Sequence, residues 1–172
     1  GLVALASVFI AFMAAFVNQG FAPAIVQKEE LTDTHLDTAF WSSLLIGLVL
    51  FIATVVPAGL IAQLFGEPAL KPVIRWLSVT FLFIALESVQ VGLLQRGFAF
   101  KQLAIRSLLS TFISGSVSLI MALLGYGVWS LVAQQLINRG VNVLVLWTAS
   151  EWRPGRDVSF EHFKELSAFG IN

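Results

Sequence analysis

The stretch of residues 107–150 carries only one charged residue, Arg139. A helix needs about 20 apolar residues to cross the hydrocarbon core of a bilayer, so one continuous helix over this stretch would overshoot any membrane. The sequence Gly125-Tyr126-Gly127 is the natural place to divide it, because closely spaced glycines favour a tight turn. The stretch therefore predicts two membrane-spanning helices, at residues 103–124 and 128–147.

The same length criterion finds three earlier spans, at residues 3–26, 40–65 and 73–94. Hydrophobic residues make up 58% of the chain and charged residues only 12%, well below the charged fraction typical of soluble domains. Pro57 lies inside the second span and predicts a kink there, because proline removes a backbone hydrogen bond. The sequence thus predicts an all-α, polytopic membrane helix bundle with five transmembrane helices.

The composition disfavours several functional classes. The formal net charge is zero, so no basic surface is available for a nucleic-acid backbone, and the absence of cysteine excludes disulfides and thiolate metal sites. Asp33, His35 and Asp37 alternate in a loop before the second span, but a chain with two histidines makes a weak case for a metal there. The sequence contains no Ser-His-Asp set and no phosphate-binding glycine loop. It predicts no enzyme activity, no metal and no cofactor.

Charges in the connections predict the orientation of the bundle. Short connections make neighbouring helices antiparallel, so alternate connections lie on opposite sides of the membrane. One set of connections carries only Lys71 and Arg75, and the other carries Lys28, Arg96, Lys101, Arg106, Arg153, Arg156 and Lys164. The positive-inside rule makes the second set cytoplasmic. The first span then runs from outside to inside, which predicts one more helix before Gly1.

The pattern changes beyond Trp152. Apolar residues there fall on one helical face, and Ser159 is a suitable N-cap; these apolar residues are Phe160, Phe163, Leu166 and Phe169. We expect residues 1–152 to form the transmembrane part of the chain. We expect residues 153–172 to form a cytoplasmic loop and an amphipathic lead-in helix at the membrane interface.

The last span carries an unusually polar face around Arg139. The other polar side chains of this face are Ser130, Gln134, Gln135, Asn138 and Asn142. One alternative is that Arg139 snorkels to the cytoplasmic interface. The span continues for about two turns beyond Arg139, roughly 10 Å at 1.5 Å per residue, which is far for a snorkelling side chain. The pattern therefore favours an arginine that faces protein or a polar cavity, with the neighbouring amides as candidate substrate contacts.

Glu87 is the second ionisable residue inside a predicted span, and Gln90 shares its helical face. Counted inward from the outer ends of their spans, Glu87 lies about 22 Å deep and Arg139 about 18 Å, at 1.5 Å per residue. The two side chains could form a structural ion pair, or Glu87 could couple transport to H+ or Na+. An unpaired Arg139 would instead offer donors for phosphate or carboxylate. Both possibilities are open at this stage.

The small residues Ser110, Ser114 and Ser118 recur every four residues on the fourth span. In lipid, small residues allow close approach of helix backbones. This ladder therefore predicts a helix-packing face rather than a substrate contact.

Several motifs together resemble the oligosaccharide flippases of bacterial polysaccharide biosynthesis. They are residues 20–27, residues 31–35 leading to Phe40-Trp41, Gln95-Arg96 with Phe100-Lys101, residues 125–132 (Gly-Tyr-Gly-Val-Trp-Ser-Leu-Val), and Trp147 with Trp152-Arg153-Pro154. The resemblance covers nearly the whole chain. It implies helices two to six of the first six-helix lobe of a two-lobed transporter in the bacterial inner membrane.

The resemblance also implies a substrate and a mechanism. Such proteins are expected to move undecaprenyl-pyrophosphate-linked sugar units across the membrane by alternating access around a cationic cavity, in contact with membrane lipids. The main alternatives are a multidrug or cation exporter of the same superfamily and a non-transporting membrane scaffold subunit. A membrane glycosyltransferase is a fourth, weaker alternative, for which the acidic residues 29–37 are the only place to look for a catalytic group.

Overall fold

The computed structural model describes residues 25–26, 31–98, 100–155, 157 and 159. Every regular element within these residues that is long enough to name is an α-helix. In chain order the helices are α1 (Asp33–Val55), α2 (Ala58–Leu64), α3 (Leu70–Ser78), α4 (Thr80–Arg96), α5 (Phe100–Leu123) and α6 (Val128–Ala149). The first predicted span and the predicted lead-in helix after Ser159 lie outside the described residues, apart from Ile25 and Val26.

Helices α1 and α2 correspond to the second predicted span, and the predicted break at Pro57 is confirmed. Pro57 has no amide proton and stands between the two helices, and its carbonyl accepts from the Ile61 amide at 2.9 Å. The helix starts earlier than predicted, at Asp33. The placement of Asp33, His35 and Asp37 in a loop is therefore wrong: all three lie in the first turns of α1.

Helices α3 and α4 form the third predicted span, with an interruption at Val79 that the sequence analysis did not predict. Ser78 Oγ donates to the Arg75 carbonyl at 2.7 Å, and Thr80 Oγ1 donates to the Leu77 carbonyl at 2.6 Å. Hydroxyl groups that bond to a preceding carbonyl compete with the helical ladder and bend the helix. The two segments still form one span of 27 residues, Leu70–Arg96.

Helices α5 and α6 are divided at Gly125-Tyr126-Gly127, as predicted. Gly125 and Gly127 have φ of 86° and 52°, a region that favours glycine. The Tyr126 amide donates back to the Met121 carbonyl at 3.0 Å, which closes the end of α5 in a Schellman-type bond. The two helices are therefore antiparallel neighbours.

Within the described residues, three spans are long and apolar enough to cross a membrane: Asp33–Val55, Leu70–Arg96 and Lys101–Leu123. The protein is thus a multi-pass membrane protein. Helix α6 has 22 residues, which is a sufficient length, but its polar face makes it less apolar than the other three. That α6 also crosses the membrane, as the fifth span, stays a prediction.

The α3–α4 span lies at the centre of the described bundle. It packs against α1 on one side and α6 on the other, while α5 packs mainly against α6. In the most apolar part of each span, the buried share of the residues is 56% for α3–α4, 33% for α1 and 17% for α5. The side chains of the inner helix therefore face protein, and most of those on α5 remain available to lipid.

Small residues bring α1 and α4 into close contact. A Cβ atom added at Gly47 would lie 2.8 Å from Ala85 Cβ and 2.9 Å from the Phe81 carbonyl oxygen, closer than atoms of a packed interface can approach. Ser88 Oγ donates to Ser43 Oγ at 3.1 Å one turn away along α1. This is the small-residue packing expected between helices in lipid.

The connection that follows α6 is bound to the first turns of α1, in an arrangement that we call the α1 clamp. Asp37, which is buried, accepts from the Gly155 amide at 2.8 Å and from the Asp157 amide at 3.4 Å. Thr38 Oγ1 accepts from the Ser159 amide at 3.1 Å, and Trp41 Nε1 donates to the Gly155 carbonyl at 2.9 Å. Three side chains of α1 thus hold a segment more than 110 residues away in sequence.

An aromatic cluster supports the clamp. Phe40 contacts the rings of Trp41, Trp147 and Trp152 edge-on, with ring centroids 5.6 to 6.0 Å apart. Arg153 donates to the Trp147 carbonyl at 2.9 Å and lies over the Trp147 ring. The start of α1 and the end of α6 therefore lie at the same end of the bundle.

Candidate functional site

The two ionisable residues predicted at membrane depth meet between α4 and α6. Arg139 Nη1 on α6 donates to Glu87 Oε1 on α4 at 2.8 Å. The Glu87 side chain is 10% exposed and the Arg139 side chain 39% exposed. Arg139 is thus held by a neighbouring helix, which is the arrangement that the sequence favoured over snorkelling.

The pair compensates two charges that a bilayer would otherwise exclude. Such a pair is not by itself strong evidence for stability, because the cost of removing both charges from water offsets much of their attraction. Glu87 bonds to one nitrogen of the guanidinium group, and no other described residue bonds to this group, which is partly exposed.

The polar face of α6 lies partly against α5. Asn138 Nδ2 donates to Ser114 Oγ at 3.3 Å, and Asn142 Nδ2 donates to Asn138 Oδ1 at 3.0 Å. Ser110, Ser114 and Ser118 are all buried. The serine ladder is thus a packing face, as predicted, and it packs against the amides of α6.

Gln134 and Gln135 precede Asn138 and Arg139 by one turn, and both are half-buried. Gln134 continues the line of Ser130 and Asn138, and Gln135 continues the line of Arg139. Their predicted role as substrate contacts, like that of Asn138 and Asn142, stays a prediction.

Several polar atoms around the ion pair are buried without a hydrogen-bond partner in the described part of the chain. They are Glu87 Oε2, Asn142 Oδ1 and both amide atoms of Gln90. Gln90 is completely buried. Buried polar atoms are nearly always bonded in proteins, so these atoms are candidates for hydrogen bonds to water or to a ligand group.

Arg106 on α5 is a further member of this site, and the sequence analysis missed it. It was counted among the cations of a cytoplasmic connection, but it lies in the second turn of α5, and its Nε and Nη1 atoms are buried. It lies on the same line of α5 as Ser110 and Ser114, and Ser114 accepts a hydrogen bond from Asn138 of α6. The sequence contains a signal that places Arg106 on the packing face of α5. Arg106 precedes Ser110, Ser114 and Ser118 at the same four-residue spacing. We call Glu87, Gln90, Arg106, Arg139 and Asn142 the Glu87 cluster.

Two of the three residues considered for a metal site, His35 and Asp37, have other partners. His35 Nδ1 lies 2.6 Å from Thr32 Oγ1 and accepts from the Thr32 amide at 3.4 Å, which caps α1. Asp37 belongs to the α1 clamp. Both side chains therefore have structural roles at the start of α1.

Comparison with known proteins agrees with this architecture. A family model described as "Polysaccharide biosynthesis protein" matches residues 1–172, the whole chain. The chain belongs to this family. No solved structure gives a significant match.

Three curated relatives extend the comparison. The succinoglycan biosynthesis transport protein ExoT of Rhizobium meliloti (strain 1021) is 30% identical over 99% of the chain. The lipopolysaccharide biosynthesis protein WzxC of Escherichia coli (strain K12) is 26% identical over 99% of the chain, and the teichuronic acid biosynthesis protein TuaB of Bacillus subtilis (strain 168) is 22% identical over 92%. The chain spans only 35%, 35% and 33% of these three proteins, respectively. It thus corresponds to about a third of their length.

Proposed function

We propose that this polysaccharide biosynthesis protein is part of a flippase that moves a lipid-linked oligosaccharide across the bacterial inner membrane. The observation that carries the proposal is the Arg139–Glu87 pair, which joins α4 to α6 and leaves the guanidinium group partly exposed. Three relatives named for the biosynthesis of succinoglycan, teichuronic acid and lipopolysaccharide support the substrate class, and one of them is named a transport protein.

In this function Arg139 contacts the anionic part of the substrate, either the diphosphate that joins lipid to sugar or an acidic sugar. A guanidinium group suits both, because its planar fork of donors matches the oxygens of phosphate and carboxylate. Gln90 lies on the same face of α4 as Glu87, and Asn142 lies on the same face of α6 as Arg139. Their unpaired amide atoms add neutral hydrogen-bonding groups to the site. Coupling to H+ or Na+ would act through Glu87.

The charge balance of the Glu87 cluster argues against a cation exporter. A cavity that binds cations needs an excess of carboxylates, whereas this cluster has two guanidinium groups and one carboxylate. A glycosyltransferase would need a free catalytic carboxylate, and Asp37, in the acidic segment considered for that role, is buried against backbone amides.

The test is Arg139→Gln in the full-length protein, expressed in a strain that lacks its own copy. We expect loss of surface polysaccharide with normal amounts of the protein in the membrane. Arg75→Gln is the matched control, because it removes an exposed guanidinium group from α3. Normal polysaccharide export by the Arg139 variant would reject the proposal.

A scaffold subunit makes a different prediction for a double variant. If the ion pair only holds α4 against α6, Glu87→Gln combined with Arg139→Gln replaces it with two neutral amides, and export returns. If Arg139 binds the substrate, the double variant stays inactive. Recovery of export by the double variant would therefore favour the scaffold.

A further inference from the structure

The spans α1–α2 and α3–α4 are both interrupted, and the two breaks lie at matching positions. Gly66 follows Pro57 by nine positions, and Leu70 precedes Val79 by nine. At 1.5 Å per residue, each break therefore lies about 13 Å from the turn that joins α2 to α3. The helices between the breaks form one segment, residues 58–78, which we call the short hairpin.

Each break lacks a regular helical hydrogen bond. Pro57 has no amide proton, so the Ala53 carbonyl loses its usual partner four residues later. At the second break the Val79 amide donates to the Trp76 carbonyl at 3.2 Å, three residues back rather than four. Such three-residue bonding inside a helix often marks a hinge. Thr54, just before the first break, is fully buried, and its hydroxyl group has no hydrogen-bond partner in the described residues.

The short hairpin is held together by its own contacts. The Glu67 amide donates to the Ala62 carbonyl at 3.0 Å, and Gly66 between them has a φ of 65°. These are the features of a Schellman motif, which closes the end of α2. A Cβ atom added at Gly59 on α2 would lie 3.8 Å from Lys71 Cε on α3, an ordinary van der Waals distance. Helices α2 and α3 can therefore move as one body.

The short hairpin is joined to the rest of the bundle less firmly than the opposite end is. Within the described residues, no side-chain hydrogen bond or ion pair joins it to α1, α5 or α6; its contacts with them are apolar. At the other end, Trp147 donates to the Leu86 carbonyl at 3.0 Å, and the α1 clamp holds the connection after α6. Apolar packing is not directional, so the short hairpin can shift without breaking such bonds.

An apolar cavity of about 300 Å³ lies between the short hairpin and helices α5 and α6. It is lined by Trp76 of α3, Met121 of α5, and Trp129, Val132, Ala133 and Leu136 of α6. Atoms that line such a cavity lose van der Waals contacts, and these contacts are a main force between helices in lipid. A swing of the short hairpin towards α6 would reduce the cavity and restore the contacts.

We propose that the short hairpin is a lid, which swings as one body on Pro57 and Val79 and opens or closes the cavity between α3 and α6. A rotation of about 20° at the breaks, the size of a sharp helix kink, moves the end of an arm about 13 Å long by about 5 Å. The α1 clamp and the Arg139–Glu87 pair hold the rest of α1, α4 and α6 together meanwhile. This motion goes beyond the proposed function and does not depend on it.

The experiment measures the distance between two spin labels by pulsed electron paramagnetic resonance, in the full-length protein in lipid nanodiscs. The chain has no cysteine, so labels can be attached at chosen positions once any cysteine elsewhere in the full-length protein has been replaced. The first pair, Gln63→Cys with Tyr126→Cys, joins two exposed positions, one on the short hairpin and one in the turn between α5 and α6. We expect two populations with mean distances about 5 Å apart.

Leu45→Cys with Leu144→Cys is the control pair, because both positions are exposed and lie on α1 and α6 on the clamp side of the breaks. This pair should give one narrow distance distribution. One narrow distribution for the first pair would overturn the proposal, because the short hairpin would then be fixed. Equally broad distributions for both pairs would overturn it as well, because the whole bundle would then move.

Two substitutions test the parts of the lid. Pro57→Ala supplies the missing amide donor, so it should stiffen the first break and leave one population for the first pair. Ala133→Phe fills the cavity beside α6 and should leave only the longer distance. Ala122→Phe is its matched control, because Ala122 is exposed on α5 and does not line the cavity. It should keep both populations.

The cavity variant decides if Pro57→Ala does not fold. Both populations unchanged in Ala133→Phe would overturn the proposal, since the motion would then not close this cavity. Loss of the shorter distance in Ala133→Phe but not in Ala122→Phe would support it.

Discussion

The α1 clamp and the Glu87 cluster are both buried polar arrangements, but they differ in how fully their hydrogen bonds are made. In the clamp, both oxygens of Asp37 accept backbone amides, and the Thr38 hydroxyl group bonds to a third. In the Glu87 cluster, one carboxylate oxygen, one amide oxygen, a whole carboxamide and two guanidinium nitrogens have no partner among the described residues. Burial is similar in the two regions, so burial does not explain the difference.

The difference indicates what each region does. A buried polar group that is fully bonded fixes the position of the chain, because breaking it leaves an unpaired group. A buried group that lacks a partner costs free energy unless water or a ligand supplies one. The clamp is therefore a structural device, whereas we propose that the unpaired groups of the Glu87 cluster bind water or a ligand. Three substitutions test this contrast.

The largest effect on stability is expected for Asp37→Ala. It removes the acceptor of two backbone amides, and each hydrogen bond to a charged group contributes about 1.5–3 kcal/mol, so we expect a loss of about 3 kcal/mol. The measurement is thermal unfolding of the full-length protein in detergent, with exposed Asp33→Ala as the control on the same helix. Native unfolding of the Asp37 variant would show that the clamp contributes nothing to stability.

A smaller effect is expected for Gly155→Ala. A Cβ atom at this position would overlap the Asp37 carboxylate, so the loop must move away and weaken its hydrogen bonds. Overpacking of this kind costs about 1–3 kcal/mol. Combining it with Asp37→Ala should recover part of the loss, because the overlapping carboxylate is then absent; strictly additive losses would contradict the assigned contact.

The smallest effect on stability is expected for Gln90→Met, which replaces the orphan amide with an apolar side chain of similar shape. Removal of an unpaired buried polar group should leave stability unchanged or raise it by up to about 1 kcal/mol. Export of polysaccharide should nevertheless fall, since a neutral hydrogen-bonding group is lost from the site. A clear loss of stability would mean that Gln90 has a structural partner, and the contrast with the clamp would fail.

Much of the fold could be predicted because bilayer thickness limits helix length. The second to fifth predicted spans are helical, and the breaks at Pro57 and at Gly125-Tyr126-Gly127 lie where the sequence indicated. The break at Val79 could not be predicted from the length of the span. It depends on the rotamers of Ser78 and Thr80, whose hydroxyl groups donate to backbone carbonyls. The first residues of helices were also predicted less accurately. Asp37 was placed in a loop, but it lies in α1.

The candidate site was predicted in part. Depth along the spans placed Glu87 and Arg139 at similar levels, and they form an ion pair. Position along the chain does not reveal which way a side chain turns, so Arg106 was assigned to a connection although two of its guanidinium nitrogens are buried. The clamp joins residues more than 110 positions apart, and no local pattern in the sequence reports such a contact.

Helix α5 owes its position mostly to a single neighbour, since it packs chiefly on α6 and little on α4. If α6 tilts, α5 moves with it. Arg106 on α5 and Arg139 on α6 therefore move together. Glu87 stays behind on α4. Opening the contact between α4 and α6 would therefore separate Arg139 from Glu87, its hydrogen-bonded counter-ion.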